Sequence, residues 1–134
     1  MSVAILLITH QEIGDALLNT AQQTFGELPL PITPVAVTYD IEPEALIPKL
    51  TKFIQQLDDG DGVLVLTDMF GATPCNLAIA LEKVSMVKVV SGLNLPMLIK
   101  VLNYPNLDLN ALAKKAICGG KDGVIDCQGE SSNG

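Results

Sequence analysis

Apolar positions along the chain alternate between short continuous runs and stretches of helical spacing. Val3 to Ile8 is an unbroken apolar run that ends in Thr9-His10, the pattern of a strand buried on both faces. From Ile13 the apolar residues Leu17, Leu18, Ala21 and Phe25 recur at helical intervals up to Gly26, which predicts a helix with a glycine stop. "LPLPITP" then reads as turn and extended chain, and Val35 to Tyr39 as a second strand. Asp40 to Leu57 carries Leu46, Leu50, Phe53, Ile54 and Leu57 on one helical face. Pro48 removes a helical hydrogen bond and crowds the preceding turn, so this helix is expected either to start near Pro48 or to kink in its first turn.

"DDGDG" is a turn cluster, and "VLVLTD" from Val63 to Asp68 is a third buried strand. Thr73-Pro74 is the signature of an N-cap followed by proline at the first helical position, opening a helix to about Lys83. Val87 to Gly92 is a fourth strand, "LNLPMLIKVLNY" runs into a short helix, and Asp108 caps a further helix from Leu109 to Cys118, ended by Gly119-Gly120. Val124 to Cys127 is expected to be a short fifth strand, and residues 128–134 a polar, disordered tail. The alternation of strands and helices predicts a single doubly wound α/β domain over residues 1–127. Its open sheet is mostly parallel, four parallel strands plus a short antiparallel fifth, with helices on both faces.

Composition changes this picture in three ways. At 134 residues and 49% hydrophobic content the chain can bury one ordinary core, and no apolar run approaches the roughly 18 to 20 residues that span a bilayer. Cys75, Cys118 and Cys127 are odd in number and lack zinc-ligand spacing, which suits a reducing cytoplasm, as does an N-terminus without a basic leader. Fifteen acidic residues against eight basic give a formal charge of −7, so nucleic acid is not an expected partner. Neither a metal nor another cofactor is expected.

His10 is the only histidine in the chain, and it stands where the first strand ends. In a doubly wound sheet, ligands sit beyond the carboxyl ends of the strands, where successive connections leave in opposite directions. If strands one and three are neighbours there, His10 and Asp68 face each other. A carboxylate then holds one imidazole nitrogen as a donor and leaves the other as an oriented nucleophile. "MFGATP" leads from Asp68 into a helix N-terminus, a favourable place for an anion, with Gly71 permitting close backbone approach and Thr73 adding a hydroxyl. Each feature alone has an ordinary structural explanation, since strand-end histidines often act as caps and strand-end aspartates are common. Their convergence on one crevice favours a functional histidine, in an arrangement that can accept a phosphoryl group. An acidic pair for Mg²⁺, as in a receiver domain, is missing after the first strand, and so is a flavodoxin-like phosphate loop.

"THQ", "TDMFGATPCN" and "SGLNLPML" after strands one, three and four together resemble the mannose-type IIA component of the bacterial phosphoenolpyruvate:sugar phosphotransferase system, over about residues 2 to 127. The resemblance implies that His10 is phosphorylated by the phosphocarrier protein HPr and passes the group to a IIB component on another chain. It also implies that Asp68 holds the imidazole and that Gly71, Ala72 and Thr73 hold the phosphate. Gln11, Met69, Phe70 and Asn94 become candidates for the partner-facing surface. A homodimer is implied, with Val124 to Cys127 as the strand at the contact, and association with a membrane only indirectly, through a permease complex. This chain departs from the family in Gln11, where glycine is common after the histidine, and in Gly71-Ala72, where Gly-Gly is common. Alternatives are a regulatory phosphoprotein of an incomplete phosphotransferase system and the phosphoryl donor subunit of a dihydroxyacetone kinase, which shares the fold.

Overall fold

The computed structural model describes residues 2–83 and 86–129. Four strands, β1 (Ala4–His10), β2 (Ile32–Val37), β3 (Val63–Thr67) and β4 (Val87–Ser91), alternate with α1 (Ile13–Phe25), α2 (Pro43–Leu57), α3 (Thr73–Leu81), α4 (Leu95–Leu102) and α5 (Leu109–Asp122). The sheet order is β2-β1-β3-β4 and every pairing is parallel. Strands β1 and β3 are therefore neighbours, as the doubly wound reading requires.

The continuous apolar runs are explained by helices on both sides. Val3, Ile5 and Leu7 of the first run, with Leu64 and Leu66 of β3, face a core shared with α1, α4 and α5. Ala4, Leu6 and Ile8, with Val63 and Val65, face the core beneath α2 and α3. Successive strand side chains point to opposite faces, so strands covered twice are apolar along their length, and their buried polar residues, Thr9 and Thr67, come only at the carboxyl ends. The first connection places α1 on one face and the second places α2 on the other. The switch point therefore falls between the carboxyl ends of β1 and β3.

Several boundaries differ from those read in the sequence. β2 begins at Ile32 and ends at Val37, because Pro34 sits in an edge strand opposite Leu7, where a missing N–H is tolerated. α2 starts at Pro43 and runs through Pro48. Pro48 and Glu44, whose carbonyl loses its helical donor, are both exposed, so that carbonyl stays open to water. α3 is capped by Ala72, with Thr73 already its first helical residue, so Thr73 is not the N-cap.

α5 continues past Cys118 to Asp122. Gly119 and Gly120 remain helical and form its contact with α4: a Cβ on Gly119 would overlap Lys100 Cβ, and one on Gly120 would come within 2.8 Å of Met97 Cε. These glycines mark a close helix approach and not a stop. Val124 to Cys127 joins no ladder in the single chain. The Val124 N–H reaches back to the Lys121 carbonyl instead, and the expected fifth strand does not form among the described residues. Of the expected tail, residues 130–134 lie outside the described residues. No helix among the described residues is long and apolar enough to cross a membrane.

Candidate functional site

His10 closes β1, and Asp68 follows β3 directly. The two strands run in register from Ala4↔Val63 to Ile8↔Thr67, which brings both side chains to the same end of the sheet. Asp68 Oδ2 accepts a hydrogen bond from the His10 backbone N–H at 3.1 Å and lies 2.9 Å from His10 Nδ1. An ionised carboxylate only accepts, so the contact favours a proton on Nδ1, which in the neutral ring leaves the Nε2 lone pair free. The imidazole is 26% exposed and the carboxylate 11%. Asp68 Oδ1 is buried without a partner among the described residues.

The turn that carries His10 is held from both sides. Gly14 N–H donates to the buried Thr9 Oγ1 at 2.9 Å, doing for α1 what its N-cap Glu12, which makes no side-chain bond, does not. Gln11 N–H donates to the Val37 carbonyl at 3.0 Å and takes a φ of 46°, the left-handed region where glycine is at ease. The glycine that the resemblance leads one to expect at this position would adopt this conformation without strain.

His10 and Thr73 line one cavity of about 260 Å³, walled on its other side by Val37 to Pro43. Sequence reasoning missed this wall. "TYDIE" lies beyond the carboxyl end of β2, next to β1, and the strand-end rule that singled out the loops after β1 and β3 applies there equally. Within it, the Thr38 hydroxyl donates to Asp40 Oδ1, and this bond holds the Asp40 carboxyl below its ordinary pKa. Tyr39 is largely exposed at the mouth.

Thr73 opens α3, whose first-turn amides lack helical acceptors, and lines the cavity together with His10. Gly71 turns the chain into α3 with φ 81°, and Ala72 supplies the cap position. Neither Gly71 nor Ala72 lines the His10 cavity. Met69 and Phe70 are strongly exposed, but Phe70 borders a different groove with Cys75, Ile79, Ser91 and Ile117. Asn94 opens α4: its Oδ1 accepts from Met97 N–H at 2.9 Å and its Nδ2 donates to the Gly120 carbonyl at 3.2 Å. Its carboxamide thus caps α4 and ties it to α5, and the side chain stays half-buried. No group of three or more potential metal ligands exists among the described residues.

The arrangement can present an oriented imidazole nitrogen to an incoming electrophile, with the first residue of α3 lining the same cavity. Comparisons with known proteins bear on the family of the chain. A family model described as the PTS (phosphotransferase system) fructose IIA component matches residues 4–117. The mannose-specific EIIAB component of Escherichia coli K12 is 32% identical over 128 residues, covering 92% of this chain and 39% of that protein. The chain thus spans about two-fifths of the length of the curated relatives it matches. Among solved structures, the mannose/sorbose-specific IIA subunit from Enterococcus faecalis superposes with a TM-score of 0.83 at 28% identity, over 94% of this chain and 95% of that one. The EIIA component from Streptococcus agalactiae, at 24% identity and TM-score 0.81 over 94% and 98% of the two chains, shares the fold.

Proposed function

The chain belongs to the phosphotransferase-system IIA family that its residues 4–117 match, and on that footing we propose that it is a phosphoryl carrier, taking the group from HPr onto His10 and giving it to a IIB component for carbohydrate uptake. The observation that carries the reading is the 2.9 Å contact between His10 Nδ1 and Asp68 Oδ2. It favours a ring proton on Nδ1, with Nε2 as the nitrogen that attacks phosphorus. As the Nε2–P bond forms, the bond from phosphorus to the donor breaks, and the ring gains positive charge that the adjacent carboxylate stabilises. The Nδ1 proton stays on the ring throughout. Transfer to the IIB component is the same step in reverse with a new acceptor.

The phosphoryl oxygens have a receptor in the first turn of α3 and the Thr73 hydroxyl, with Gly71 and Ala72 shaping the approach. Gln11, Met69 and Phe70 are exposed or half-buried near this end of the sheet and are the side chains offered to the docking partners. The relatives' own descriptions as sugar phosphotransferase components favour a carrier over a dihydroxyacetone kinase donor. Incubation with phosphoenolpyruvate, enzyme I and HPr is the test: the unaltered chain takes up acid-labile phosphate and His10→Ala takes up none.

We also infer a homodimer. β4 ends the sheet, and an open strand edge invites pairing with another chain. Ile79, Ile117, Val124 and Ile125 are exposed apolar residues on α3, α5 and the segment after α5. A second copy that covers them would remove both liabilities at once.

A further inference from the structure

Three polar side chains from three elements meet outside the His10 cavity, and the carrier reading gives them no task. Ser91 ends β4, Thr67 ends β3, and Cys75 lies in the first turn of α3. Ser91 Oγ is 2.9 Å from Thr67 Oγ1 and 3.1 Å from Cys75 Sγ. Thr67 and Cys75 are 0% and 1% exposed, so neither has water as a substitute partner.

The direction of these bonds follows from the donors. A hydroxyl has one proton and two acceptor sites, and a thiol is the weaker donor. A buried hydroxyl proton without an acceptor is costly, so the arrangement that wastes least runs from Thr67 O–H to Ser91 Oγ and from Ser91 O–H to Cys75 Sγ. Ser91 is the middle member, and both ends of the chain reach the site. Thr67 immediately precedes Asp68, and its carbonyl accepts the Gly92 and Leu93 N–H groups at 3.0 and 2.9 Å. Cys75 is two residues after Thr73. Among the described residues Asp68 Oδ1 has no hydrogen-bond partner, so the carboxylate's hydrogen bonds there run to His10 through Oδ2.

We propose that Ser91 is a positioning residue for His10: its hydroxyl braces the Asp68 end of β3 and the first turn of α3 against each other, so that the orienting carboxylate and the helix N-terminus keep one spacing around the imidazole. Its consequence for transfer rests on the carrier reading, whereas its consequence for the ring does not. Small displacements of reacting groups are costly to rate, up to about a hundredfold for 1 Å.

The test compares Ser91→Ala, Ser91→Thr and Cys75→Ala by two readouts. The first needs no donor: exchange of the His10 Nδ1 proton with water, followed in the nitrogen-15 spectrum of the ring. Ser91→Ala is expected to speed that exchange about tenfold, as a loosened carboxylate protects the proton less, and Ser91→Thr, which keeps the hydroxyl, to restore it. The second is the rate of phosphoryl transfer from phosphorylated HPr, expected to fall about tenfold at saturating HPr in Ser91→Ala with the half-saturating concentration unchanged. Cys75→Ala should shift the backbone signals of Thr67 and Asp68, on the far side of the Ser91 hydroxyl, and leave the Nδ1 exchange alone. Unchanged exchange in a folded Ser91→Ala protein, or failure of Ser91→Thr to restore it, overturns the proposal. So do unmoved Thr67 and Asp68 signals in Cys75→Ala, which decide the matter if Ser91→Ala does not fold. Failure of the carrier reading would look different, with no label on the unaltered chain whatever the ring exchange shows.

Discussion

Asp68 meets His10 twice through one oxygen, Oδ2 accepting from the backbone N–H at 3.1 Å and lying 2.9 Å from Nδ1. One atom thereby fixes both the strand end and the ring that projects from it. Conversion to an amide keeps the shape but removes the charge that stabilises a positively charged ring. Asp68→Asn should therefore fold normally and transfer phosphoryl groups from HPr at least about a hundredfold more slowly, less than the loss in hydrolytic triads. Rapid-quench transfer rates alongside a thermal melt measure the two effects separately.

Gln11 stands at φ 46° directly after His10, a conformation that costs a residue with a side chain about 1–2 kcal/mol relative to glycine. Glycine loses more entropy on folding, about 0.5–1 kcal/mol, so Gln11→Gly should leave stability unchanged or raise it by up to about 1 kcal/mol. Gln11→Val, β-branched at a positive φ, should lower it by about 1–2 kcal/mol. Urea denaturation of the three proteins checks both signs.

At the α4–α5 contact, a Cβ on Gly119 would overlap Lys100 Cβ and come within 2.7 Å of its Cγ. Alanine is the better helix former by about 1 kcal/mol, yet Gly119→Ala should destabilise by about 1–3 kcal/mol because atoms near the Lys100 backbone cannot move aside freely. A lowered melting temperature is the expected result. A raised one would mean that helix propensity outweighs the packing.

These positions also mark what the sequence made legible. The order of the four strands and five helices follows from apolar runs and helical spacing, which are local signals, whereas the meeting of His10 with Asp68 follows from the rule of strand ends only once β1 and β3 are neighbours, which the fold supplies. Gly119-Gly120 read as a stop because a glycine pair carries the same local signal whether it ends a helix or admits a neighbour; only α4 distinguishes them. Thr73 read as an N-cap for a similar reason, since Thr-Pro fits the cap and first position as well as the first two helical positions. The Thr38 to Glu42 wall and the Ser91 bridge depend on side chains brought together from different strands, and nothing in their own neighbourhoods points to the other members.

The homodimer makes its own demand. The full chain should sediment as a dimer at micromolar concentration, and removal of Val124 onward should weaken association more than it disturbs the His10–Asp68 pair, read from the ring signals of His10. A monomer at that concentration would reject the inference drawn from the open β4 edge.

The nitrogen that carries phosphorus tests the central claim most directly. After incubation with phosphoenolpyruvate, enzyme I and HPr, phosphorus-31 and nitrogen-15 spectra of the labelled chain should place the phosphoryl group on Nε2 of His10, because Asp68 holds the proton on Nδ1. A chain that stays unlabelled while HPr is fully phosphorylated, or a phosphoryl group on Nδ1, would contradict the account.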